Sequence, residues 1–247
     1  MGTIVTFDLF DPRGFDDRAV REVFDRACAV LHEVDDVFST WKPQSPMSRL
    51  RRGELDAAAV PVQIADVLER CREVKSMTGG WFDPWAMPDG LDPTGYVKGW
   101  GAQRALDVLA SLGARGAIVN AAGDVCVDGK ALDGDDFRIG IVNPFNRHAV
   151  AGVVRATNAV ATSGDYERGS HLVNPFSGDT VSAMAAATVC GPDLGVADAL
   201  ATALVVGGHE VLELVQALDA YEALVIGRDR QWATTENFPL VSGLALQ

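Results

Sequence analysis

The residues best suited to chemistry lie in the segment Ala197-Asp198-Ala199-Leu200-Ala201-Thr202-Ala203-Leu204. Asp198 and Thr202 are four residues apart in an otherwise apolar helical stretch, so both project from one face, one turn apart. A carboxylate is costly to bury unless a cation or several donors sit beside it. Oxygen ligands of this kind suit a hard cation, magnesium above all, which takes few protein ligands and adds substrate phosphates. The structural alternative is that Asp198 caps the helix or meets an arginine while Thr202 bonds back to the backbone.

Four further segments carry candidate residues. In Asp92-Pro93-Thr94-Gly95-Tyr96-Val97-Lys98-Gly99-Trp100 an acidic turn opens a helix that has an early lysine. Backbone amides, the helix dipole and the Lys98 ammonium would suit phosphate there, or Lys98 is simply solvated. In the run from Ala161 to His171, the small residues Thr162, Ser163 and Gly164 let a ligand approach the backbone. His171 is one of only four histidines and titrates in the neutral range when solvated; a surface loop with an incidental histidine is the alternative. Asn120-Ala121-Ala122-Gly123-Asp124 has the composition of a hairpin turn. Trp41, in a polar loop, and Trp81, after Gly79-Gly80, either stack on a planar ligand or cover a helix.

These residues need elements to hold them. Val20, Val23, Phe24, Ala27, Val30, Leu31, Val34 and Phe38 recur at helical spacing from Asp16 to Phe38, after a strand at Thr3–Phe10. A polar loop from Ser39 to Asp56 follows. A second helix carries Ile64, Val67, Leu68, Cys71 and Val74 and stops at Gly79-Gly80. Residues Trp81 to Gly95 read as loop, and a third helix runs from Lys98 to Leu112. Strand patterns then appear at Ala117–Asn120, Val125–Val127, Phe137–Val142, Val150–Ala161, Ala186–Cys190 and Tyr221–Ile226. Helices at Leu194–Val206 and Glu210–Leu218 complete the chain. Helices and antiparallel-looking strands are partly segregated, which predicts an α+β fold, a single domain over residues 1–247 with mixed or antiparallel sheets flanked by helices.

Of the 247 residues 48% are hydrophobic, enough for one sizeable core, and the net charge is −13. That charge repels nucleic acid and anionic membrane, so neither is expected as a partner, and an anionic ligand needs a local cation or metal. Cys28, Cys71, Cys126 and Cys190 are widely spaced, which predicts four buried free thiols rather than a zinc site or a disulfide. No basic stretch followed by an apolar run opens the sequence, so the expectation for the chain as given is cytoplasmic, or extracytoplasmic if a leader was removed.

The order of the motifs carries more than any one of them. F-S-x-[aromatic] and S-x-x-S-R-L (Phe38 to Leu50), G-G-x-F-D-P (Gly79 to Pro84), D-x-x-G-x-x-K-G (Asp92 to Gly99), a G-D turn (Gly123, Asp124), T-S-G (Thr162 to Gly164), H-x-x-x-P (His171 to Pro175) and A-D-A-x-A-T-A (Ala197 to Ala203) follow an initial M-G-T. This series resembles the ApbE family over nearly the whole chain. The resemblance implies an FAD:protein FMN transferase that uses magnesium, takes FAD as substrate and passes FMN to a threonine of an acceptor protein, releasing AMP. It implies that Met1 and Trp41 flank the isoalloxazine and that Trp81, Phe82 and Asp83 line the FAD pocket. Asp92 and Lys98 hold polar parts of FAD, and Gly123, Asp124, Thr162, Ser163 and Gly164 belong to the FAD-binding motifs. The same resemblance implies that Asp198 and Thr202, with the Gly95 carbonyl, bind magnesium, and that His171 takes the proton of the attacking threonine. The family's G-G-D turn reads Ala122-Gly123-Asp124 here, the stretch before His171 is shorter than in many members, and the expectation for the chain as given is that it lacks the family's lipoprotein leader. Two other outcomes use the same ligands: hydrolysis of FAD to FMN and AMP, and flavin storage without turnover. Oligomeric state is not legible.

Overall fold

The computed structural model describes residues 3–56, 59–164 and 172–246. Its first strand, β1 (Val5–Phe10), leads into helix α1 (Asp17–Phe38), whose N-cap Asp16 accepts the Ala19 N–H at 2.7 Å. Val23, Ala27, Leu31, Val34 and Phe38 form its buried stripe, as the periodicity predicts. The loop after it contains a short helix, α2 (Pro46–Arg51), which the hydrophobic pattern misses. Six residues give no period, although Ser45 caps it and Pro46 opens it.

Helix α3 (Val62–Met77) buries Ile64, Val67, Cys71 and Val74 and gives way to Gly79 and Gly80, both in the left-handed region. A single turn at Pro84–Ala86 precedes α4 (Thr94–Ala110), which starts four residues before the expected Lys98. Lys98 therefore sits in the second turn of a helix, not at its mouth.

Strands β2 (Gly116–Ala121) and β3 (Asp124–Gly129) form the expected hairpin. The apolar run predicted as one strand, Val150–Ala161, is two: β5 (Asn146–Ala156) pairs with β4 (Phe137–Asn143), and β6 (Ala159–Gly164) joins a different sheet. Strand β7 (Met184–Gly191) leads into α5 (Leu194–Gly207) and α6 (His209–Gln216), then β8 (Glu222–Gly227). The three-residue strands β9 (Trp232–Thr234) and β10 (Leu240–Ser242) close the chain.

Among the described residues, a seven-stranded antiparallel sheet runs in the order β1-β2-β3-β6-β7-β8-β9, and β10-β5-β4 form a second sheet. Alternation along the large sheet sorts its side chains into two cores. Cys126, Ala161, Val189 and Val225 face the helices, whereas Val125, Val160, Cys190 and Leu224 face the small sheet. The result is a helix layer, a sheet buried on both faces and a second sheet, consistent with the expected α+β class. Three cysteines are buried; Cys28 is exposed, because its neighbour Ala27 takes the core face of α1. No helix among the described residues is long and apolar enough to cross a membrane.

Helices α4 and α5 touch backbone to backbone. A Cβ on Gly99 would stand 2.3 Å from the Leu194 carbonyl oxygen, and one on Gly195 would stand 2.9 Å from the Tyr96 ring. Only bare α-carbons permit this crossing. It sets Lys98 of α4 against Asp198 of α5.

Candidate functional site

Asp198 sits in a helix whose remaining inward residues are apolar, and only 2% of it is exposed. It does not cap α5: Asp193 does, accepting the Val196 N–H at 2.9 Å. Its cationic neighbour is Lys98, whose ammonium stands 3.7 Å from Oδ1. The same ammonium is in close contact with Oδ2 of Asp124, a residue with no exposed surface. Lys98 is thus held inward between two buried carboxylates, with its side chain 21% exposed.

The position of Asp124 follows from the hairpin. Ala122 and Gly123 both have positive φ (52° and 97°), and the Asn120 side chain accepts the Gly123 N–H at 2.8 Å. Two consecutive left-handed residues make the tight turn that suits a two-residue hairpin. Strand β3 then pairs with β6 through Val125↔Val160 and Cys126↔Ala159. Beyond that point the Asp124 carboxylate replaces the ladder, accepting the Thr162 N–H at 3.0 Å.

The T-S-G segment is split by strand alternation. Ser163 shares the helix-facing side with Ala161 and lies 3.3 Å, hydroxyl to hydroxyl, from Thr202. Thr162 points its hydroxyl to the opposite face, 3.0 Å from that of Thr188, its cross-strand partner on β7. Of Thr162, therefore, the backbone N–H belongs to the site side. Gly95 faces Thr202: a Cβ there would stand 3.9 Å from the Thr202 hydroxyl and 3.2 Å from the Phe82 ring. Lys98, Asp124, Ser163, Asp198, Thr202 and Gly95 are thereby brought together from α4, α5, β3 and β6.

The donors on this face fit magnesium. The Asp198 carboxylate, the Thr202 and Ser163 hydroxyls and the backbone at Gly95 offer oxygen only, and few of them. Among the described residues no three histidine, cysteine, aspartate or glutamate side chains gather as a metal cluster.

The aromatic side of the prediction separates into parts. Phe82 is buried with its ring against Gly95, and its N–H donates to the Thr78 hydroxyl at 3.1 Å. Trp81 packs over Gly207, meets Phe176 edge-on at 4.9 Å and donates its indole N–H to Glu210 at 3.2 Å. Asp83 accepts the Trp85 N–H at 2.9 Å and pairs with Lys75 at 2.6 Å, so its carboxylate braces the turn at Pro84–Ala86. Asp92 accepts the Thr94 N–H at 3.0 Å at the mouth of α4. Trp41 projects from the surface, 92% exposed. The candidates Met1 and His171 lie outside the described residues.

Sequence reading missed Thr188, Phe176 and Glu210. Their contacts join segments far apart in the chain, and no local pattern carries that information. Tyr96 is another such residue. Burial first, and the nearby Asp193 carboxylate second, push its phenol well above its ordinary value, so it packs as a neutral ring under the start of α5.

The chain matches the ApbE family over residues 1–89 and 88–225. A protein of Vibrio cholerae serotype O1 called FAD:protein FMN transferase is 27% identical, over 85% of this chain and 80% of its own. Among solved structures, the flavin transferase ApbE from Vibrio cholerae superposes with a TM-score of 0.81 at 23% identity, covering 95% of this chain and 93% of the other. The ApbE protein of Thermotoga maritima superposes at 0.79, with 19% identity over 95% of this chain and 97% of its own. The α+β architecture is shared with both solved structures, and the family match spans nearly the whole sequence: this chain belongs to the ApbE family.

Proposed function

We propose that this ApbE-family flavin transferase works as a magnesium-dependent FAD:protein FMN transferase. It takes FAD, passes the FMN half to a threonine of an acceptor protein and releases AMP. The observation that carries the reading is the buried set around Lys98: its ammonium lies between Asp124 and Asp198, beside the Ser163–Thr202 hydroxyl pair. A chain of net charge −13 has no general attraction for a pyrophosphate, so a bound magnesium acting with Lys98 is what would retain it.

Asp198, Thr202 and the Gly95 carbonyl would hold the metal, with Ser163 steadying the Thr202 hydroxyl. When bound, magnesium would neutralise charge on the pyrophosphate and on the departing phosphate. Lys98 would lie against the same phosphates. Trp41 offers an exposed indole face for the isoalloxazine, and Phe82 and Trp81 would line the flavin pocket. The acceptor threonine oxygen forms a bond to the FMN phosphorus while the phosphorus–oxygen bond to AMP breaks. The threonine proton passes to a base, the role proposed for His171; a positioned base contributes about a hundred- to ten-thousand-fold in rate.

The test is incubation with FAD, magnesium and a purified acceptor domain, followed by AMP assay and in-gel flavin fluorescence. Equal amounts of AMP and fluorescent acceptor support transfer. AMP with no labelled acceptor indicates hydrolysis, and bound FAD with no AMP indicates storage.

A further inference from the structure

Asp124 stands behind Lys98 rather than beside any open surface, and its two oxygens have different tasks. Oδ1 takes the Thr162 N–H where the β3–β6 ladder ends, and Oδ2 holds the Lys98 ammonium in close contact. The same ammonium is only 3.7 Å from Asp198 Oδ1, beyond normal hydrogen-bond length. Of these two carboxylates the ammonium sits closer to Asp124. We propose that Asp124 is a positioning residue: it anchors Lys98 away from Asp198, so that the Asp198 carboxylate is kept for the metal and the ammonium for the FAD phosphates. This rests on the function proposed above.

The alternative is that Asp124 only ties β3 to β6. The two roles separate in Asp124→Asn. An asparagine keeps its carbonyl oxygen for the Thr162 N–H but turns an NH2 group toward Lys98. Among the described residues the carboxylate nearest to the repelled ammonium is then Asp198, where it competes with magnesium. A purely structural Asp124 gives no such competition.

The experiment measures the magnesium concentration for half-maximal stabilisation of the protein by magnesium and FAD, read as a melting shift, together with FAD affinity in EDTA read by flavin fluorescence. Asp124→Asn should raise the half-saturating magnesium concentration by about tenfold, the scale of one close charge coupling. Asp124→Asn/Lys98→Gln, with the competing ammonium removed, should return it to within about threefold of the wild type. Lys98→Gln alone should weaken FAD binding in EDTA without raising the magnesium requirement, and this variant keeps the proposal open to refutation if Asp124→Asn does not fold. An unchanged magnesium requirement in folded Asp124→Asn overturns the proposal. So does a raised requirement in Lys98→Gln. A wild-type protein that shows no magnesium-dependent stabilisation overturns the functional reading itself, and this inference with it.

Discussion

Ser163 at the end of β6 and Thr202 in the middle of α5 meet hydroxyl to hydroxyl at 3.3 Å, although they lie 39 residues apart. The contact places a strand end and a helix face on the same small oxygen-lined surface as Asp198. Thr202→Val keeps the shape of the side chain and removes its oxygen. The expected outcome is a rise of about tenfold in the magnesium needed for half-maximal AMP release. Ser163→Ala acts through Thr202 and should give a smaller rise, and thermal melting should show both variants folded.

The crossing of α4 and α5 makes a stability prediction. Gly99→Ala puts a methyl group 2.3 Å from a carbonyl oxygen, against backbone that cannot turn aside. Forced overpacking of this kind costs about 2 kcal/mol or more. Urea unfolding should register that loss. AMP release should fall as well, since Lys98 and Asp198 are set opposite each other by this crossing.

Trp41 makes the opposite case, exposed enough that truncation leaves the fold intact. Trp41→Ala should leave the melting temperature unchanged. Loss of one aromatic stacking partner is worth about 1 kcal/mol, roughly a fivefold rise in the KM for FAD. Steady-state kinetics against FAD concentration separates the two effects.

The thiols give a pH test. Burial pushes Cys71 and Cys190 up to about 12 and raises Cys126 as well. These groups stay protonated in the fold while the unfolded chain loses their protons above the ordinary thiol value of about 8.5. Their contribution to stability is complete below that pH and is lost as pH climbs toward 12. Urea midpoints should therefore fall between pH 8 and pH 10. At pH 8 a thiol reagent should titrate Cys28 alone in the native protein and all four cysteines once it is unfolded.

How much of this was legible in the sequence depends on the range of the interaction. Helix α1, the stop at Gly79-Gly80 and the shared face of Asp198 and Thr202 follow from local period and turn chemistry, and all three stand in the structure. The break between β5 and β6 did not show, because Val150–Ala161 is mostly apolar on both sides of Thr157-Asn158 and both halves carry buried side chains. The early start of α4 was hidden by Pro93, Gly95 and Gly99, residues that weaken a helix signal but here serve a turn and a close crossing. Lys98 and Asp124 could each be suspected singly. Their pairing depends on β3 lying under α4, which the sequence pattern does not encode.

The central claim is that FAD is cleaved at the Asp198–Thr202 face. Its most direct test is AMP release from FAD by the wild type and by Asp198→Asn, each with magnesium and with EDTA in the presence of an acceptor domain. The account predicts AMP release that requires magnesium in the wild type and falls at least about a hundredfold in Asp198→Asn. AMP release that survives EDTA, or that is undiminished in a folded Asp198→Asn, would contradict it.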